Sequence, residues 1–225
     1  MTRYLVGGLL IIASALSVLA LLYARRQAVD EPSYQVVRQD GDIEIREYRG
    51  YAIAEITVSV DFGPATQRAF TPLFNYISGA NRSRAKIEMT APVLVEPASE
   101  KIEMTAPVLV EPRRTTGADD GQSLTGDEIS AWSIAFILPE EYTADNAPLP
   151  NDSRVTVRGV DQHRVAVIRF SGRFNERRAE EHRLELADWL ARKGLEHAAD
   201  WRVAGYNPPF TLPSMRRNEV FVTLR

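Results

Sequence analysis

Residues Val165–Gly194, VAVIRFSGRFNERRAEEHRLELADWLARKG, join a strand-like segment to a segment with helical periodicity. The apolar run at Val165–Phe170 predicts a strand. Asn175 can cap a helix over Glu176–Lys193, and Gly194 can end it in a left-handed conformation. The apolar side chains expected on the buried face of this helix are Ala179, Leu186, Trp189 and Leu190. We therefore expect one strand followed by one amphipathic helix.

An earlier part of the chain has the same order of elements. Ala52–Val60 has the alternation of a strand, and the segment after it has four apolar residues at helical spacing, namely Phe70, Leu73, Phe74 and Ile77. Pro64 suits the first turn of this helix, and Gly79 suits its C-terminal cap. Pro72 has no amide hydrogen and crowds the preceding turn, which predicts a bend or a short first segment.

Two strand patterns follow each predicted helix. Ile87–Val95 and Trp132–Leu138 follow the first helix, while Trp201–Tyr206 and Glu219–Leu224 follow the second. The chain therefore repeats the order strand, helix, strand, strand. The other strand patterns are at Tyr34–Val37, Ile43–Tyr48 and Val155–Arg158, with turn residues Asp40-Gly41 between the first two.

This internal doubling predicts an α+β fold. Two such halves can pair their strands into one curved antiparallel sheet or distorted β-barrel, flanked by the two helices. In that arrangement we expect a ligand groove between the halves.

The N-terminal segment Tyr4–Tyr23 is uncharged and long enough to cross a membrane as a helix. Arg3, Arg25 and Arg26 flank it, which favours a transmembrane span over a buried core helix. A cleaved signal peptide remains the main alternative. We expect an anchor over residues 1–27, a linker over 28–33 and one domain over 34–225, on the extracytoplasmic side of the membrane.

Composition narrows the possible functions. The chain has 225 residues, of which 44% are hydrophobic and 25% charged, typical of a folded globular protein. It has no cysteine, which excludes disulfides and thiolate chemistry. The chain carries a net charge of −3, and the basic residues of the N-terminal segment leave the domain itself more acidic. Nucleic acid is therefore not an expected partner.

One sequence is present twice: KIEMTAPVLVEP occurs at Lys86–Pro97 and again at Lys101–Pro112. Twelve identical residues indicate a tandem duplication, which is unrelated to the doubling of the fold. Only one copy can fill the strand position that the fold requires. We expect the surplus copy and the polar tail Arg113–Asp127 to lie in an exposed loop or ribbon.

Four separated blocks resemble the SOUL haem-binding protein family. They are FTPLFNYISGANRSRAKIEMTAPV (Phe70–Val93), AWSIAFILPEEY (Ala131–Tyr142), VAVIRFSG (Val165–Gly172) and GYNPPFTLPSMRRNEV (Gly205–Val220). The resemblance implies a distorted β-barrel with two helices. It also implies non-covalent binding of haem or a related porphyrin in a hydrophobic groove, and it implies no catalytic activity.

Carried over to this sequence, the family's groove corresponds to Gln67, Phe70 and Phe74 on the first helix and to Tyr206 after it. A porphyrin needs apolar faces and a few donors at its rim. The faces could come from Phe70, Phe74, Met89 or Met104, Tyr206 and Phe210, and the donors to its propionates from Arg216 and Arg217. At helical spacing, the two phenylalanines could equally belong to the core.

The identity of an iron ligand stays open at this point. The candidates are His163, His182, His197, a tyrosinate at Tyr206, or no fixed protein ligand. Two other functions also remain. Glu219 and Tyr206 could form a catalytic pair acting on a planar small molecule, or the domain could be a membrane-tethered interaction module without a ligand.

Overall fold

The computed structural model describes residues 31–83, 101–114, 129–207 and 210–225. The predicted span Tyr4–Tyr23, the predicted strand Ile87–Val95 and Met89 lie outside these residues. Among the described residues, no helix has both the length and the apolar character needed to cross a membrane.

Eleven strands and two α-helices make up the described part of the chain. The helices are α1 (Phe62–Ile77) and α2 (Glu176–Lys193). The strands before α2 are β1 (Tyr34–Asp40), β2 (Ile43–Tyr48), β3 (Tyr51–Val58), β4 (Asn81–Arg82), β5 (Val108–Arg114), β6 (Ile129–Ile137), β7 (Leu149–Pro150), β8 (Thr156–Val160) and β9 (His163–Phe170). After α2 come β10 (Arg202–Gly205) and β11 (Asn218–Thr223).

Nine of these strands form one antiparallel sheet in the order β1-β2-β9-β11-β10-β5-β6-β3-β8. The order contains the predicted doubling: β3, β6 and β5 repeat the arrangement of β9, β11 and β10. The two halves join where β5 pairs with β10, with Val110 opposite Val203 and Leu109 opposite Ala204. The α+β class and the two similar halves are therefore confirmed.

Both helices cover the same face of this sheet. Val110 packs in the α1 core and Val203 in the α2 core. Because directly opposed residues of paired strands project to the same side, the two cores lie on one face. Burial of each large aliphatic side chain there contributes about 1.5–3 kcal/mol.

The opposite face of the sheet is filled by its own side chains. Nine residues pack there, with Tyr34, Tyr51, Val160 and Tyr206 around them: Tyr48, Ile53, Leu109, Ala135, Ile137, Val165, Val167, Ala204 and Phe221. At one end the gap narrows to about 20 Å³, enough for roughly one water molecule. The described side chains of this face therefore pack against one another, and the open groove between the halves stays a prediction.

The caps of α2 are those predicted. The side chain of Asn175 accepts a hydrogen bond from the backbone N–H of Arg178, and Gly194 ends the helix with φ of 65°. The helix α1 runs without interruption through Pro72, so the alternative of a short first segment was wrong. Gly79 follows the end of α1 with φ of 109°, as expected for a residue just past a helix.

The second copy of the duplicated sequence supplies a central strand. Its residues Val108–Pro112 lie in β5, between β10 and β6. The strand continues into Arg113 and Arg114, so the predicted exposed tail begins later than expected. The first copy, Lys86–Pro97, falls outside the described residues.

Candidate functional site

An exposed aromatic pair lies on the outer side of α1. The side chains of Phe70 and Phe74 are 41% and 44% exposed, and their rings stack at 5.8 Å with an interplanar angle of 11°. Gln67 is exposed one turn earlier, and positions 67, 70 and 74 share a helix face. We call Gln67, Phe70, Phe74 and the neighbouring Met104 the α1 surface.

Packing of the helix explains why these rings are exposed. The side of α1 that faces the sheet carries Ala65, Ala69 and Leu73, each fully buried. These buried positions leave Phe70 and Phe74 on the flank of the helix. The alternative that the pair belongs to the core was therefore wrong. An edge contact between Phe70 and the buried Phe136, at 5.5 Å, holds one ring in place.

Met104 is on a segment that passes alongside α1. The backbone N–H of Ile102 donates to the carbonyl of Ile77 at the end of α1. A few residues later Val108 pairs with Phe136, the residue that touches Phe70. Met104 lies between these two attachments and is 38% exposed, so we include its flexible thioether with the α1 surface as a candidate contact.

A separate cluster of charged residues is buried on the other face of the sheet. Glu219 of β11 accepts hydrogen bonds from both terminal nitrogens of Arg46 on β2, at 2.8 and 2.9 Å. Arg217 donates to the same carboxylate at 3.0 Å, and the hydroxyl of Tyr206 donates at 2.5 Å. Glu219 is 1% exposed and Arg46 is 2% exposed. We call these four residues the Glu219 cluster.

The neighbouring positive charges keep the carboxylate of Glu219 ionised. Burial alone raises the pKa of Glu219, but the hydrogen bonds and charges of Arg46 and Arg217 outweigh burial and hold that pKa below 4.5. Burial raises the pKa of Tyr206 well above 10, and the charge of Glu219 raises it further. Tyr206 therefore remains a neutral donor, which disfavours a tyrosinate ligand to iron.

The cluster has the bonding of a structural ion pair. A general base needs a free lone pair near a substrate, whereas Glu219 already accepts from three side chains. Arg217 also bonds Glu31 at 2.8 Å, so it has two carboxylate partners. Sequence reasoning missed Arg46 altogether. Its alternation with Ile43 and Ile45 in β2 places it on the face opposite those residues, but did not show that this face is covered.

The loop between β10 and β11 carries Phe210 and Arg216. Phe210 is 83% exposed, and Arg216 donates to the carbonyl of Thr211 at 2.8 Å. The loop is fixed to the preceding β9–α2 connection, because Gly172 donates to the carbonyl of Pro213.

The three histidines each pack against another ring. His163 stacks on Tyr48 at 5.8 Å, His182 on Phe170 at 4.3 Å, and His197 meets Trp201 edge-on. Within the described residues, no group of three or more His, Cys, Asp or Glu side chains could hold a metal ion.

Sequence comparison identifies relatives over nearly the whole chain. A family model described as SOUL heme-binding protein matches residues 29–99 and 95–223. Heme-binding protein 2 of Homo sapiens is 31% identical over 207 residues, covering 88% of each chain. The Mus musculus protein of the same name is 30% identical over 205 residues, covering 87% of this chain and 86% of the relative.

Solved structures with a similar fold have little sequence similarity. A Listeria innocua hydrolase is 10% identical with a TM-score of 0.55, covering 84% of this chain and 94% of the hydrolase. The C-terminal domain of EcmrR is also 10% identical, with a TM-score of 0.54, covering 85% of this chain and 98% of that domain. These similarities support the fold alone.

Proposed function

We propose that this chain, which belongs to the SOUL haem-binding protein family, binds haem or a related tetrapyrrole non-covalently on the α1 surface. We also propose that its N-terminal segment holds it at a membrane. The observation that carries the binding site is the exposed, stacked pair Phe70 and Phe74. Large aromatic rings are seldom left paired in water without a partner, because their burial is strongly favourable.

The α1 surface fits one face of a porphyrin. Parallel aromatic rings on one helix flank offer a planar apolar contact, and the thioether of Met104 can adapt to the edge of a macrocycle. The amide of Gln67 can donate to a carboxylate at the rim. Bound haem would supply a redox-active iron, while these side chains only bind and orient the ring.

The packing of the three histidines favours haem binding without a histidine ligand to the iron. Each imidazole packs against a ring other than Phe70 or Phe74. Single His→Gln variants at the three positions should therefore keep both the affinity and the Soret maximum of the wild-type chain.

A titration with ferric haem tests the binding site. The full chain in detergent should give a saturable Soret shift, and the double variant Phe70→Ala/Phe74→Ala should raise the Kd about tenfold or more, because both aromatic contacts are lost. Leu184→Ala is the matched control, since Leu184 is a 54% exposed apolar residue on α2.

Two results would contradict the proposed site. One is a wild-type titration without saturation at micromolar haem. The other is a double variant whose Kd equals that of Leu184→Ala while its thermal melt is unchanged.

The membrane anchor is tested separately. In our proposal Tyr4–Tyr23 crosses the membrane once, and the domain is on the extracytoplasmic side. The full chain should float with vesicles through a density gradient and should resist extraction by carbonate. C-terminal reporter fusions should be active only outside the cytoplasm; activity of a cytoplasmic reporter would reverse the orientation.

A further inference from the structure

The loop between β10 and β11 exposes three large apolar side chains within six residues. Phe210, Leu212 and Met215 are 83%, 65% and 70% exposed. Each is more exposed than either ring of the α1 surface. Isolated exposed apolar residues are common on soluble proteins, but a group of them at one loop tip marks an interaction surface.

Backbone hydrogen bonds within the loop and at its base fix the shape of the tip. The backbone N–H of Met215 donates to the carbonyl of Leu212, which forms a short 3-10 helix. At the base, the N–H of Tyr206 donates to the carbonyl of Arg217. Leu212 and Met215 therefore lie in a turn that is closed by its own backbone hydrogen bond.

A basic pocket adjoins the tip. Its volume is about 310 Å³, and Met215 lines it together with Arg169, Arg216 and Arg217. Asp42 is the acidic residue on its wall. Arg217 is bonded to Glu219 and Glu31, and the three arginines of the pocket wall outnumber its single carboxylate, so the pocket favours an anion such as a phosphate group.

The chain enters the domain beside this pocket. Glu31, the first described residue, bonds the guanidinium of Arg217 at 2.8 Å. Only seven residues lie between Tyr23, the end of the apolar segment, and Glu31. Even fully extended, such a connection reaches about 28 Å. If Tyr4–Tyr23 crosses a membrane, Glu31 is within that distance of the end of the membrane-spanning segment.

We propose that Phe210, Leu212 and Met215 insert into the interface of the lipid bilayer in which the chain is anchored, with Arg169 and Arg216 contacting the phosphates of anionic headgroups. This inference rests on the proposed anchor. Apolar side chains beside arginines are the usual composition of an interfacial contact. Because the connection from Tyr23 to Glu31 is short, the membrane is favoured over a second copy of the chain as the partner of this loop.

The absence of cysteine allows a direct test with single labelled sites. Leu212→Cys and Met215→Cys in the full chain are labelled with a nitrobenzoxadiazole fluorophore and reconstituted in phosphatidylcholine vesicles with and without phosphatidylglycerol. We expect a blue shift of emission and quenching by spin-labelled lipids, both greater with phosphatidylglycerol. Leu184→Cys, on α2, is the matched control and should show neither effect.

The contribution of Arg169 to the binding of anionic headgroups is tested by comparing two arginine variants. Arg169→Gln in the labelled Met215→Cys chain should reduce the extra shift caused by phosphatidylglycerol, whereas Arg192→Gln on α2 should not.

Flotation of the same samples separates the two proposals. A chain that floats while its loop labels behave like the Leu184→Cys label would overturn the loop insertion alone. A chain that does not float would overturn the anchor and this inference together. A shift that follows protein concentration and ignores lipid composition would indicate self-association and would also overturn it.

Discussion

Glu219 links two strands that are not neighbours, because β9 lies between β2 and β11. Its partners Arg46 and Arg217 are charged and largely shielded from water. Replacement by Gln removes the negative charge but keeps the shape, so Arg46 is left with Glu44 and Arg217 with Glu31 as the carboxylate partner. We expect Glu219→Gln to lower the free energy of unfolding by about 3 kcal/mol, measured by urea denaturation.

An exposed ion pair provides the comparison. Glu181→Gln breaks the contact of Glu181 with Arg177 on the surface of α2 and should cost about 0.5 kcal/mol or less. Equal losses in the two variants would show that the Glu219 cluster does not hold the sheet together.

The same residue should control stability in acid. The pKa of Glu219 is lower in the folded chain than its usual 4.5, despite the opposing effect of burial. A lowered folded pKa stabilises the protein above about pH 4.5, and that stabilisation is lost as the pH falls towards the folded value. The difference in unfolding free energy between wild type and Glu219→Gln should therefore shrink below pH 4.5 and stay constant between pH 6 and 8.

For single residues, the sequence indicated which side chains could bind a ligand or form an ion pair better than it indicated whether they are buried or exposed. The resemblance selected Phe70 and Phe74 as groove residues, and the structure shows them exposed and stacked, whereas their spacing alone was equally consistent with a core position. Their exposure depends on how α1 is rotated against the sheet, which is set by tertiary packing. Likewise, the sequence of β2 suggests that Arg46 is a surface residue, whereas its buried partner Glu219 is 173 residues away in the chain.

Secondary structure was most predictable where a local signal ended an element. The helix α2 has the predicted bounds because the side-chain cap at Asn175 and the left-handed residue at Gly194 are local features. The helix α1 continues through Pro72 and has no short first segment; Pro72 is buried, and packing offsets the missing hydrogen bond.

The cap at Asn175 can be tested alone. Asn175→Ala removes the acceptor for the N–H of Arg178 and should lower the free energy of unfolding by about 1 kcal/mol. Asn175→Asp keeps an acceptor at the same place and should stay near wild type. If both variants unfold at the wild-type urea midpoint, the cap does not contribute to stability.

Over the whole molecule, the doubled order of elements predicted two packed halves but not the curvature that joins them. That curvature brings opposite parts of one sheet face together and buries residues such as Val165 and Ala204. The order of elements predicted a groove between the halves, and on this face of the sheet the described side chains form a core. The candidate ligand surface is instead on the flank of α1, which the order of elements does not reveal.

The duplicated sequence gives the most direct test of the whole fold. The family model matches the chain in two pieces, 29–99 and 95–223, and each piece contains one complete copy of the repeat. Removing residues 86–100 joins Ala85 to Lys101 and restores a single copy before Arg113. Removing residues 98–112 produces the identical polypeptide, so the experiment does not depend on which copy is deleted.

We expect the shortened chain to unfold within about 1 kcal/mol of wild type and to bind haem with the same Kd, because surplus loop residues add little loop-closure cost. In the shortened chain no second copy of the repeat can replace β5. Val110→Asp in that chain places a charge at a fully buried position and should abolish cooperative unfolding. A large loss of stability in the shortened chain without that substitution would mean that the first copy contributes to the folded domain.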